Sequence, residues 1–328
     1  MLLLSEKDIL SVVDMRDMIE ACKTAFRMTE SGEITTPLRT AIDGQEGTFL
    51  FMPSYAPALD AAAVKVVDVF PRNVERGLAA IPAQVLLMDG TTGYALALLD
   101  GACVTRLRTG AATGAAFDLL AKKDCRKGAL FGTGGQAAAQ LEAMLTARAL
   151  EEVSIYSPNR AHRLAFTEQM QRELARFGVK LSAAESPVDC VRDADLIVTV
   201  TASPEPVFDG TLVKPGATVS CVGTFQPEKH ELDAALLPRA GKIICDSKEA
   251  VLSESGDLLI PLRDGLITEA DITGSLGDVV RGVLPGRETD EEIIVFESVG
   301  IAAQDLVAAR VIYDRAVETG GGLRWPSE

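Results

Sequence analysis

Lys65 stands inside an apolar run, A-A-V-K-V-V-D-V-F-P-R-N (62–73), between Val64 and Val66. Burial in such a run disfavours the ammonium and lowers its pKa, which makes a lysine a proton donor or a carboxylate anchor. The same alternation admits a second reading, with Lys65 on the wet face of a strand. Two arginines could join it, Arg39 in T-T-P-L-R-T-A-I-D and Arg108 in V-T-R-L-R-T-G-A-A. An arginine grips a carboxylate through two parallel N–H bonds, a geometry lysine cannot copy. Either could also be a surface residue. Arg106, two residues before Arg108, is expected to point elsewhere.

A second constellation lies in K-G-A-L-F-G-T-G-G-Q-A-A-A-Q-L-E-A-M-L (127–145). A strand runs into Gly132-Thr133-Gly134-Gly135-Gln136-Ala137 and a helix follows. This is the G-x-G-x-x-A fingerprint of a dinucleotide site. Gly132 permits the tight turn, Gly134 lets backbone approach a pyrophosphate, and Ala137 allows close helix–strand packing. The helix N-terminus supplies unpaired N–H groups and a positive dipole end. The next strand (151–157) should end beside the ribose. An acid there would bind the 2′-hydroxyl and favour NAD, but the chain offers Ser157, Pro158, Asn159 and Arg160. A nearby arginine accommodates a 2′-phosphate, so NADP(H) is favoured over NAD(H).

A third stretch, A-T-V-S-C-V-G-T-F-Q-P-E-K-H-E-L-D (217–233), reads as a short strand that stops at Gly223. Ligands of an open parallel sheet sit beyond the carboxyl ends of its strands. An acid would be well placed here, yet Thr224, Phe225 and Gln226 follow.

These residues need elements to hold them. Ser5 and Asp8 form a capping box for a short helix, and Asp14 caps a longer one. In the longer helix Met15, Met18, Ile19, Cys22, Ala25 and Phe26 share one face, and Gly32 ends it. Strands are expected over 47–56, 61–70, 83–90 and 93–101, the last two joined by a hairpin loop with two glycines. Residues 104–123 read as an Ala-rich helix. Apolar strands and helices then alternate, the rhythm of a parallel, doubly wound α/β sheet. A closing helix is expected over 297–320.

The chain has 328 residues, 47% hydrophobic and 24% charged, enough for about two domains with large cores. A net charge of −15 argues against nucleic acid and against anionic membranes. No apolar run reaches the roughly 20 residues of a membrane span. The N-terminus meets Glu6 and Lys7 early and does not read as a signal peptide. Six scattered cysteines without a C-x-x-C pair, and two distant histidines, do not suit a zinc cluster. Reduced, half-buried thiols of a cytoplasmic protein are expected, with no metal.

Taken together, these segments resemble the ornithine cyclodeaminase/μ-crystallin family over nearly the whole chain. The likeness rests on K-V-V-D-V-F-P-R-N (65–73), V-L-L-M-D-G-T-T-G-Y-A-L-A-L-L-D-G (85–101), T-R-L-R-T-G-A-A-T-G-A-A (105–116), F-G-T-G-G-Q-A (131–137), P-E-K-H-E-L-D (227–233) and 276–306. It implies a substrate and dimerisation domain from residues 1–115 and 307–328, with a Rossmann domain over 116–306. It implies a homodimer through the first domain. It places Lys65, Arg108 and Arg39 on a substrate carboxylate. It places Thr201, Ala202, Val222, Gly223, Ser298 and Val299 along the nicotinamide cofactor. One position departs from the pattern. Cyclodeaminases and an alanine dehydrogenase of the family carry an Asp where this chain has Phe225. That Asp binds the substrate amine and handles protons, which Phe cannot do.

The resulting expectation is an NAD(P)H-dependent reductase of α-imino acids, or the reverse amino-acid dehydrogenase. A small imino or amino acid is its partner. Lys65 is the proton donor, and Phe225 an apolar wall suited to a ring or alkyl side chain. The alternatives are ornithine cyclodeamination and a non-catalytic binder of NADP(H) and a small ligand.

Overall fold

The computed structural model describes residues 1–325 and separates into two units, residues 1–108 with 301–325 and residues 109–300. The first begins with β1 (Leu2–Leu4), α1 (Glu6–Val12) and α2 (Met15–Glu30). Both helices open on capping boxes: Ser5 with Asp8, as expected, and Asp14, expected as a cap, which pairs reciprocally with Asp17. There follow β2 (Thr40–Asp43), β3 (Thr48–Ala56), β4 (Ala61–Val69), β5 (Ala83–Asp89), β6 (Ala95–Asp100) and α3 (Gly101–Leu120). The compact units divide inside α3, at Arg108/Thr109, and again at Gly300/Ile301. A continuous Ala-rich helix carries no breaker that would mark a boundary in sequence.

The second unit alternates β7 (Lys127–Phe131), α4 (Ala137–Ala147), β8 (Glu152–Tyr156), α5 (Arg160–Glu173), β9 (Lys180–Ala183), α6 (Pro187–Val191), β10 (Leu196–Thr199) and β11 (Thr218–Cys221). It continues with β12 (Lys242–Cys245), α7 (Lys248–Glu254), α8 (Gly256–Arg263), β13 (Gly274–Ser275), α9 (Leu276–Val280) and β14 (Ile294–Glu297). The eight strands pair in the order β13-β12-β14-β11-β10-β7-β8-β9, every neighbouring pair parallel. Strand order reverses between β7 and β10, the switch point where doubly wound sheets bind ligands. Leu130, Leu141, Met144, Val153, Ile155, Leu196 and Val198 pack in one buried cluster of this unit.

The chain then returns to the first unit with α10 (Ala302–Thr319) and β15 (Leu323–Arg324). The helix expected from 297 is corrected here. Residues 294–297 are the buried central strand β14, and Gly300, at φ +80°, breaks the chain before α10. A fully buried parallel strand reads as a plain apolar run, which periodicity cannot tell from a helix. The sheet of this unit runs β15-β1-β6-β5-β4-β3-β2, with β1 and β6 parallel and the other pairs antiparallel. Helix α10 packs on β3, β4 and β5 and against α2. All six cysteines are free and buried rather than half-buried, because each lies on a core-facing position. No helix among the described residues is long and apolar enough to cross a membrane.

Candidate functional site

In the first unit, strand register decides where Lys65 points. Along β4, Ala61, Ala63, Lys65 and Val67 face inward. Across the sheet Lys65 pairs with Met52 and Val85, and Val85 with Leu99, so the lysine sits in an otherwise apolar row. It is 1% exposed, which removes the wet-face reading. What makes an ammonium tolerable there is Asp305, in the first turn of α10, whose Oδ2 lies 2.7 Å from Lys65 Nζ. The other oxygen of Asp305 accepts a hydrogen bond from Arg108 Nε at 3.2 Å. Arg108 Nη1 donates to Gln304 Oε1 at 3.2 Å, and Gln304 Oε1 also accepts the Ile301 N–H. Arg108, Gln304 and Asp305 are all buried.

Asp305 is the residue that sequence reading missed. It lies within the 276–306 segment, but nothing in a helical pattern says which residue meets a strand 240 positions earlier. The electrostatics are those of a cationic anchor. Two buried cations face one carboxylate. Burial first, and then the Arg108 charge, lower the Lys65 pKa to about 7, against the opposing pull of Asp305. Arg39 is half-buried, and its charge also presses on Lys65. The three predicted cations therefore act on one locality. Arg106 instead pairs with Glu6 at the surface.

In the second unit, parallel register gathers segments far apart in sequence. Tyr156, Phe131, Thr199, Cys221 and Glu297 form one row across β8, β7, β10, β11 and β14. The predicted cofactor residues follow that row, along one edge of the sheet. Gly132 leaves β7 at φ +115°, where an added Cβ would meet the Val200 carbonyl at 2.5 Å. Its N–H donates to Tyr156 O at 2.9 Å. An added Cβ at Gly134 or Gly135 meets nothing within 4 Å. Gln136 precedes α4 without a side-chain hydrogen bond to its N-terminal N–H groups, and Ala137 is fully buried. Thr133 is partly exposed in the same turn. A tight turn, open glycines and a helix start free of a side-chain cap fit a pyrophosphate.

At the end of β8, Ser157 O accepts a hydrogen bond from Arg163, and Asn159 caps α5. Arg160 is exposed, with Nε 3.8 Å from Glu185. Beyond β10, Thr201 is half-buried and Ala202 exposed; beyond β11, Val222 and Gly223 are half-buried. Phe225 is 39% exposed, a large apolar side chain left uncovered within its unit. After β14, Ser298 donates to Asp246 Oδ2 at 2.7 Å, and Val299 is buried.

Known proteins bear on these features. The model of the ornithine cyclodeaminase/mu-crystallin family matches residues 1–320. A Δ1-pyrroline-2-carboxylate reductase of Bacillus cereus is 37% identical over 324 residues, covering 98% of this chain and 98% of that protein. The structure of the Thermococcus litoralis Δ1-pyrroline-2-carboxylate reductase in complex with NADH and L-proline matches with a TM-score of 0.94 at 37% identity, over 99% of this chain and 100% of that one. An archaeal alanine dehydrogenase dimer with bound NAD matches with a TM-score of 0.90 at 31% identity, over 98% of each chain.

Proposed function

The chain belongs to the ornithine cyclodeaminase/mu-crystallin family, and from that premise we propose that it reduces Δ1-pyrroline-2-carboxylate and similar α-imino acids, or runs the reverse dehydrogenation. It is an oxidoreductase that uses a nicotinamide cofactor. When bound, the dihydronicotinamide supplies the hydride that reduces the imine carbon. The turn at 132–137 and the helix start of α4 would hold its pyrophosphate. Thr201, Ala202, Val222, Gly223, Ser298 and Val299 are assigned to the rest of the cofactor.

The observation that carries the reading is the buried excess of positive charge around Asp305. One carboxylate cannot neutralise both Lys65 and Arg108, so the anchor favours a second anion, the substrate carboxylate, with Arg39 assisting. Lys65 then has two roles. Its charge binds the carboxylate, and its lowered pKa lets it hand over a proton near neutrality. An imine that is already protonated needs little else. Cyclodeamination must bind a second amine and expel ammonia, for which Phe225 offers no acid. Phe225 instead walls the side chain of the imino acid. The test is oxidation of NADH and NADPH by the purified chain with a panel of imino acids. Cofactor binding without oxidation across the panel would favour a carrier, and proline plus ammonia from ornithine would favour cyclodeamination.

For the cofactor phosphate the reading is NADP(H). Arg160 supports it and the missing acid at 157–160 supports it, while Glu185 beside Arg160 weighs against. A lower Kd for NADH than for NADPH would overturn it.

The first unit also supports a homodimer. Opposite the face covered by α10, Pro53, Val64, Leu86, Leu98 and Leu3 form one row across five strands. Within one chain this face stays partly open, with Phe49, Tyr55 and Leu98 exposed. An apolar sheet face of this kind marks a protein interface. Light scattering should give the mass of two chains, and Leu98→Lys should give one. The six free thiols support a reducing compartment, the cytoplasm.

A further inference from the structure

Glu231, in the H-E-L-D stretch, is wholly buried, and the reaction proposed above does not use it. Its Oε1 accepts the Thr201 N–H at 2.5 Å, and its Oε2 accepts the Gly223 N–H at 2.8 Å. Thr201 follows β10 and Gly223 follows β11, strands that lie side by side and parallel. One carboxylate therefore ties the carboxyl ends of both. The Gly223 bond also closes residues 224–230, which include Phe225, back onto their own stem. A Cβ on Gly223 would collide with Glu231 Oε2 and with Thr201 O, so closure at this distance requires glycine.

The far end of the loop is braced as well. Asp257 Oδ1 accepts the N–H groups of Glu231 and Leu232, each at 2.7 Å. A Cβ on Gly256 would collide with the Lys229 carbonyl, so α8 approaches the loop closely. Burying carboxyl groups together is costly. Burial, and then neighbouring Asp257, push the Glu231 carboxyl up to about 8. A shorter, neutral side chain satisfies one N–H at less cost, but it cannot reach both strand ends.

We propose that Glu231 is a positioning residue, whose carboxyl group closes the 224–230 loop onto the ends of β10 and β11 and so fixes the residues that meet the nicotinamide and the substrate side chain. This rests on the reading of those strand ends as part of the nucleotide site.

The test compares the wild-type chain with Glu231→Gln, Glu231→Asp and Gly223→Ala, using NADH as the probe. The measurements are NADH Kd by fluorescence, kcat and KM for Δ1-pyrroline-2-carboxylate, and melting temperature with and without NADH. Thr218→Val, at a buried threonine on the amino end of β11 whose hydroxyl bonds the Leu120 carbonyl and Arg287, controls for general loss of stability. In Glu231→Gln the NADH Kd rises about tenfold or more, the cost of one buried hydrogen bond, and kcat falls. KM for the imino acid rises less than the NADH Kd, because Lys65 and Arg108, which hold the carboxylate, are untouched while Phe225 shifts with its loop. Glu231→Asp recovers only part of the loss, and Gly223→Ala reproduces it with Glu231 present. Should Glu231→Gln fail to fold, Gly223→Ala and Glu231→Asp carry the same comparison. An NADH Kd in the folded variants within twofold of wild type, or no worse than in Thr218→Val, overturns the proposal. A wild-type chain that binds neither NADH nor NADPH overturns the nucleotide reading, and the clamp with it.

Discussion

Asp305 Oδ2 lies 2.7 Å from Lys65 Nζ, and the two side chains are 2% and 1% exposed. The pair is not self-sufficient, because Asp305 also serves Arg108. Asp305 is what opposes the fall in the Lys65 pKa that burial and Arg108 impose. In Asp305→Asn that opposition is gone, and Lys65 should lose its proton at lower pH. For imine reduction, kcat/KM of the wild type should decline as pH rises through about 7, and the midpoint should move down in Asp305→Asn. Breaking one side of a buried pair should also lower stability by about 3–5 kcal/mol, read by denaturant unfolding.

Arg108→Lys keeps the charge but loses the planar fork. The substrate KM should rise about tenfold or more, the scale of a charged hydrogen bond, with a smaller effect on kcat. Arg106→Lys, two residues away on the surface, should leave both constants unchanged. Equal effects of the two substitutions would remove Arg108 from the anchor.

Phe225→Asp places an acid where other family members carry one. A charged wall should penalise a cyclic apolar substrate, lowering kcat/KM for Δ1-pyrroline-2-carboxylate by about 10–200-fold. NADH binding should hold. If the substrate panel is unchanged, Phe225 does not face the substrate.

Buried acids set the pH dependence of stability. Burial first raises the carboxyl of Glu231 from 4.5 to about 8, that of Glu297 well above 4.5, and that of Asp257 above 3.8. Among the described residues, one oxygen of Glu297 has no hydrogen-bond partner. From about pH 5 upward the folded chain keeps protons that the unfolded chain has released, so stability falls as pH rises. Lys65 acts in the opposite sense only above about 7, where the unfolded lysine still holds its proton. The melting temperature should therefore drop between about pH 5 and about pH 7, and Glu297→Gln should flatten that slope.

Sequence alone determined the features that are local. The glycine fingerprint, the helix caps and the strand–helix alternation depend on neighbours a few residues apart, and each was legible for that reason. So was the family, through long motifs in order. The ambiguity of Lys65 was not resolvable there, because period-two alternation names two faces without saying which is covered. Helix α10, packed on β3, β4 and β5, decides it. Asp305 and Glu231 were visible only as letters in motifs. Their roles come from α10 packed on β4 and from parallel register, which set the ends of β10 and β11 side by side. A carboxylate has no local signature for the partner it will meet after folding. The tertiary structure therefore decided which acids meet the buried cations and the strand ends, while the chain itself had already shown the cations and the glycine turn.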